Sequence, residues 1–150
     1  MISKRILVVD NSPVIRAVAR IYLERRTLFT VCGEAAHGPD AIEEAKTLSP
    51  DLILMDFSKP VMNGIELGDI LKAMLPKVPI VIFTAHDKAA IELHALAVGV
   101  RLVIQKNDMS SLAAHLHKLL GQPSVTSRGT ETTQQKERAT TLNAENCSEK

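Results

Sequence analysis

The sequence predicts an α/β fold, a doubly wound five-stranded parallel sheet with five helices on its two faces. Two observations predict it: short continuous apolar runs recur along the chain, and each is followed by a segment with helical periodicity. A third sharpens it, because polar residues with chemical potential stand where four of those runs stop.

Ile6-Leu7-Val8-Val9 is a continuous apolar run that breaks at Asp10, as a strand buried on both faces does. Ser12-Pro13 then opens a helix. The serine can cap free amides and the proline at the first helical position loses no needed donor. Val14, Ile15, Val18, Ile21 and Tyr22 repeat as that helix's apolar face, and the helix is expected to end near Arg26. The pattern recurs with a strand over Phe29 to Ala35, a helix from about Pro39 to Leu48, and a central strand Leu52-Ile53-Leu54-Met55. After an irregular loop come a helix around Ile65 to Met74, a strand Ile80 to Thr84, and a helix from about Lys88 to Val98. A last strand, Val100 to Ile104, leads to a helix near Ser110 to Leu120 with Leu112, Leu116, Leu119 and Leu120 on one face. The helix after Thr84 carries Ala89, Ala90, Leu93 and Leu96 on more than one face, which fits either ordinary packing on the sheet or an exposed apolar patch.

Composition bounds the rest. A chain of 150 residues, 45% hydrophobic and 23% charged, can form one core that buries roughly two-thirds of its unfolded surface. Residues 1–121 are expected to form that domain. From 122 to 150 the chain turns to Ser, Thr, Gln and charged residues, a polar tail expected to be disordered and without an output domain. The formal net charge is +1 with no long basic run, so direct nucleic-acid binding is not expected. Cys32 and Cys147 make neither a disulfide framework nor a zinc spacing. The run Ile6 to Val9 is too short for a signal core or a membrane span, and the expected location is cytoplasmic, away from any membrane.

Strands alternating with helices imply parallel pairing, and ligands of such sheets bind outside the strands' carboxyl ends. Asp10, Asp56, Thr84 and Lys106 fall at or just past the ends of the first, third, fourth and fifth expected strands. Any one aspartate there reads as a turn former. Two carboxylates converging at neighbouring strand ends repel unless a cation lies between them, and hard oxygen donors with open positions suit Mg²⁺. Transfer of a phosphoryl group to a carboxylate needs charge neutralised on three oxygens, which a metal, an ammonium and a hydroxyl can supply.

The stretch Leu52-Ile-Leu-Met-Asp56-Phe-Ser-Lys-Pro60-Val-Met-Asn-Gly64-Ile-Glu-Leu67 resembles the CheY-like receiver domains of two-component signalling, as do Ile6-Leu-Val-Val-Asp10-Asn11-Ser12-Pro13, Ile80-Val-Ile-Phe-Thr84-Ala85 and Lys106. The resemblance covers about residues 4 to 120 and implies a flavodoxin-like sheet of strand order 2-1-3-4-5. It implies that Asp56 is the phospho-acceptor, that Lys106 and Thr84 contact the phosphoryl group, and that Pro60 and Gly64 shape the loop and the helix entry after Asp56. It further implies that Asp10, Asn11, Asp56 and the carbonyl of Ser58 hold Mg²⁺. Ser58 and His86, each two residues past a site residue, stand where phosphate lifetime is tuned in such proteins. Implied partners are a sensor histidine kinase or phosphotransfer protein and a downstream protein of unknown identity. The implied activity is a switch, not an enzyme beyond its own phosphorylation and dephosphorylation.

Three positions depart from the family pattern. Asn11 stands where the family usually has a second, metal-binding acid, Val103 where it often has an aromatic residue, and Asn107 where it often has proline. The alternative reading is a pseudo-receiver, an interaction module that no longer switches by phosphorylation because Asn11 replaces that acid. Enzymes on similar sheets are disfavoured, since the Gly-x-Gly-x-x-Gly of dinucleotide binding is absent after the first strand and Ser12 stands where an aspartate-nucleophile phosphatase would carry its second acid. His94, His115 and His117 read as plain helix-surface residues without metal-ligand partners.

Overall fold

Successive residues of a strand point to opposite faces, so a continuous apolar run must be met by a helix layer on each side. A computed structural model of the chain, which describes residues 3–57 and 62–121, shows those two layers. Ile6, Val8, Leu52, Leu54, Val81 and Phe83 pack on one face with Leu23, Leu112 and Leu116. Leu7, Val9, Ile53, Met55, Ile80 and Ile82 pack on the other with Ala41, Leu67, Leu71 and Ile91.

The elements run β1 (Arg5–Val9), α1 (Pro13–Arg26), β2 (Thr30–Ala35), α2 (Gly38–Leu48), β3 (Leu52–Met55), α3 (Gly64–Met74), β4 (Ile80–Thr84), α4 (Lys88–Ala97), β5 (Leu102–Gln105), a 3₁₀ helix (Lys106–Ser111) and α5 (Leu112–Leu120). The five strands are parallel in the order β2-β1-β3-β4-β5, as expected. Helices α1 and α5 cover one face and α2, α3 and α4 the other. Among the described residues no helix is long and apolar enough to cross a membrane. The expectations for the tail 122–150, for Ser58 and for Pro60 lie outside the described residues.

Four details differ from the sequence reading, each for a local reason. Phe29 lies outside β2 and is buried instead in the α1/α5 layer. Strand β5 begins at Leu102 because Val100 is still closing helix α4: Gly99 takes a left-handed φ of 102° and the Val100 N–H bonds the Ala95 carbonyl. The last helix is preceded by a 3₁₀ segment, Lys106–Ser111, kinked at Asp108 with φ −112° and ψ 40°, and the α-helix itself starts at Leu112. On α1, the residues buried are Ala19 and Leu23, whereas Val14, Val18 and Ile21 are exposed at 67%, 42% and 55%. Arg16 and Arg20 both bind Glu34 of β2, and Arg16, Ala19, Arg20 and Leu23 share one helical face, so these bonds turn that face inward and the Val14-Val18-Ile21 stripe outward.

Candidate functional site

Asp10 follows β1, Asp56 follows β3, Thr84 ends β4 and Lys106 follows β5, so all four strand-end residues lie along one edge of the sheet. The ladder fixes the two acids. The Asp10 N–H bonds the Ala35 carbonyl and the Asp56 N–H bonds the Val9 carbonyl, both at 2.9 Å. Both side chains are buried, with Asp10 3% and Asp56 6% exposed. Burying ionised carboxylates is costly unless a cation is close, and Lys106 supplies it: its Nζ lies 2.8 Å from Asp10 Oδ2 and 3.4 Å from Asp56 Oδ1. The other Asp10 oxygen accepts from the Ser12 N–H at 2.9 Å, which ties the acid to the cap of α1. Ser12 in turn caps the helix by accepting the Ile15 N–H at 3.2 Å, the role expected of it.

Thr84 is fully buried. Its Oγ1 accepts the His86 N–H at 3.0 Å, which leaves the hydroxyl proton available for an acceptor in the site. His86 is exposed, and its ring meets Phe57 edge-on at 5.3 Å, so the residue after Asp56 and the loop after Thr84 touch over the site. Gly64 is required by close approach: a Cβ there would stand 2.8 Å from the Phe57 Cα, while its N–H bonds the Phe57 carbonyl at 2.6 Å. Asn63 and Glu66 close a reciprocal capping box at the same helix entry.

The donor set fits a hard divalent cation. Two buried carboxylates from neighbouring strand ends lie within reach of one ammonium, and Mg²⁺ needs only one or two carboxylates because it keeps several waters. Asn11 is exposed at the mouth of the β1–α1 turn, where its amide oxygen can add a neutral donor. Among the described residues no cluster of three or more His, Cys, Asp or Glu side chains suits a metal.

Val103 is fully buried on β5, and beside it a hollow of about 320 Å³ opens between Lys88 of α4 and His115 of α5. His117 is a correction. It is half-buried rather than on the helix surface, its ring 4.9 Å from Phe29 and its Nε2 buried without a hydrogen-bond partner, and burial holds its imidazole below the ordinary range. Sequence reasoning also missed Arg16 and Glu34. The one signal was a lone acid inside an otherwise uncharged strand, Thr30–Ala35.

Comparison with known proteins identifies the family of this fold. The family model "Response regulator receiver domain" matches residues 6–117. The response regulator protein VraR of Staphylococcus saprophyticus is 33% identical over 81% of this chain, and the protein-glutamate methylesterase/protein-glutamine glutaminase of Idiomarina loihiensis is 40% identical over 63% of it. The chain spans 58% and 25% of those two relatives' lengths. A crystal structure of a two-component response regulator of the LuxR family from an Aurantimonas species superposes with a TM-score of 0.76 at 30% identity, covering 80% of this chain and 86% of that one. With the strand order, the buried acids and a family match over most of its length, the chain belongs to the response regulator receiver domains of two-component signalling.

Proposed function

We propose that this receiver domain accepts a phosphoryl group on Asp56 from a sensor histidine kinase or phosphotransfer protein and thereby changes the surface it offers to a downstream protein. The observation that carries this reading is the Lys106 ammonium shared by two buried carboxylates from neighbouring strand ends. An Asp56 carboxylate oxygen attacks phosphorus, the phosphorus–nitrogen bond of the donor's phosphohistidine breaks with its electron pair going to the imidazole, and an acyl phosphate forms. Lys106 and the Thr84 hydroxyl face the new oxygens as an ammonium and a hydrogen-bond donor, stabilising charge where it develops. When bound, Mg²⁺ would be held by Asp10, Asp56, Asn11 and the Ser58 carbonyl and would neutralise charge on the phosphoryl oxygens.

Movement of Thr84 toward the added phosphate would pull on His86 and the loop leading into α4, because the hydroxyl is bonded to the His86 N–H. His86 against Phe57, together with Ser58, would limit the access of attacking water and so set the lifetime of the phosphate. The chemistry proposed for the chain is confined to gaining and losing this group.

The test is intact mass after incubation with acetyl phosphate and Mg²⁺. The wild type should gain one phosphoryl group, about 80 Da, that needs Mg²⁺ and is lost in Asp56→Asn. No gain in the wild type, with gain restored by Asn11→Asp, would overturn the reading in favour of a pseudo-receiver.

A further inference from the structure

The Asp10 backbone is fastened from two sides. Its N–H is held by the Ala35 carbonyl of β2, and its own carbonyl accepts from Arg16 Nη1 at 2.6 Å. Arg16 is itself anchored, since its Nε donates to Glu34 Oε1 at 3.0 Å. The second Glu34 oxygen takes Arg20 Nε at 2.9 Å. Burial alone would raise the Glu34 pKa, but the Arg20 and Arg16 guanidiniums outweigh it and hold the carboxyl below the usual range, so it is ionised at neutral pH. Glu34 pairs in register with Val8, placing this anchor beside the strand that delivers Asp10.

A guanidinium is planar and presents its donors in a rigid fork. With Nε fixed on Glu34, the direction of Nη1 is fixed too, and it ends on the carbonyl that joins Asp10 to Asn11. Rotation of that peptide would swing both the Asp10 carboxylate and the Asn11 amide. We propose that Arg16, oriented by Glu34, is a positioning residue that fixes the Asp10–Asn11 peptide and so aims the Asp10 carboxylate into the acidic site. This rests on the phospho-acceptor reading of that site, and Arg16 acts on it only through Asp10.

Arg20 provides the control, because it also binds Glu34 but makes no bond to Asp10. Three measurements on the full chain compare Arg16→Met with Arg20→Met: Mn²⁺ binding read from the resonance signal of the free ion, phosphoryl gain from acetyl phosphate, and the ¹³C carboxylate resonance of Asp10 without metal. Arg16→Met is expected to weaken Mn²⁺ binding and slow phosphoryl gain by about tenfold, the usual scale for residues that orient metal ligands, and to shift the Asp10 resonance. Arg20→Met is expected to leave all three essentially unchanged. If Arg16→Met does not fold, Arg16→Lys replaces it, since an ammonium keeps the charge but not the two-way fork.

Equal losses in the Arg16 and Arg20 variants would show a merely structural pair and overturn the proposal. So would an unmoved Asp10 resonance in the Arg16 variant. A wild type that neither binds Mn²⁺ nor gains a phosphoryl group would overturn the phospho-acceptor reading instead, and the Asp10 resonance would still decide what Arg16 does.

Discussion

At the scale of single residues, Asn11 and His117 are the positions where one proton or one charge changes most. Asn11→Asp adds a carboxylate to a site whose two acids already share one ammonium. Attraction between unit charges about 4 Å apart is roughly 4 kcal/mol at an effective dielectric near 20, and solvation offsets most of it. The expected net is Mg²⁺ binding tighter by about tenfold, or ~1.4 kcal/mol, measurable by titration calorimetry; unchanged affinity would mean that residue 11 does not face the ion. His117 works in the opposite sense. Burial lowers its pKa, so the folded chain holds fewer protons at this ring than the unfolded chain does. Stability is therefore full above the unfolded imidazole pKa near about 6.5, falls as pH drops below it by at most about 1.4 kcal/mol per pH unit, and levels off once the folded ring is protonated too. Urea unfolding at several pH values should show this acid-side loss in the wild type and a shallower one in His117→Leu; parallel curves would remove the ring from the account.

At the scale of elements, the strands and the strand-end residues were legible in the sequence, while the facing of α1 was not. Runs such as Leu52–Met55 and Ile80–Thr84 are buried on both faces, so their apolar content alone identifies them and locates Asp56 and Thr84 at their ends. Helix α1 has more apolar positions than it buries, and periodicity cannot choose between two stripes. That choice is made by Arg16 and Arg20 reaching Glu34, a contact that exists only once β2 lies beside β1. The same dependence on strand neighbours hid the Arg16 link to Asp10. The two stripes differ in energetic weight. Leu23→Ala, at a site with no exposure, is expected to cost about 3 kcal/mol by lost burial and a residual cavity. Ile21→Ser, at 55% exposure, should stay within about 0.5 kcal/mol of the wild type. Denaturant midpoints of the two variants check the assignment, and comparable losses would place both stripes against the body of the protein.

At the scale of the whole molecule, the buried acids among the described residues, Asp10 and Asp56, lie at one edge of the sheet, so charge at that edge couples directly to folding. An ion that binds the folded site and not the unfolded chain stabilises by mass action, about 2.7 kcal/mol at a hundredfold excess over its dissociation constant. Thermal unfolding is therefore expected to shift upward by roughly 10 °C in saturating Mg²⁺, and chelation with EDTA should reverse it. Lys106→Met removes the ammonium that Asp10 and Asp56 share, and the metal-free variant is expected to lose about 3 kcal/mol, because breaking a buried pair leaves charge uncompensated. Yet its gain from Mg²⁺ should exceed that of the wild type. In the wild type the ion must compete with an ammonium 2.8 Å from Asp10 Oδ2, a competitor that the variant lacks. An equal or smaller Mg²⁺ gain in Lys106→Met would mean that the ion and the ammonium occupy separate places along the edge, and that the two acids do not form one shared site.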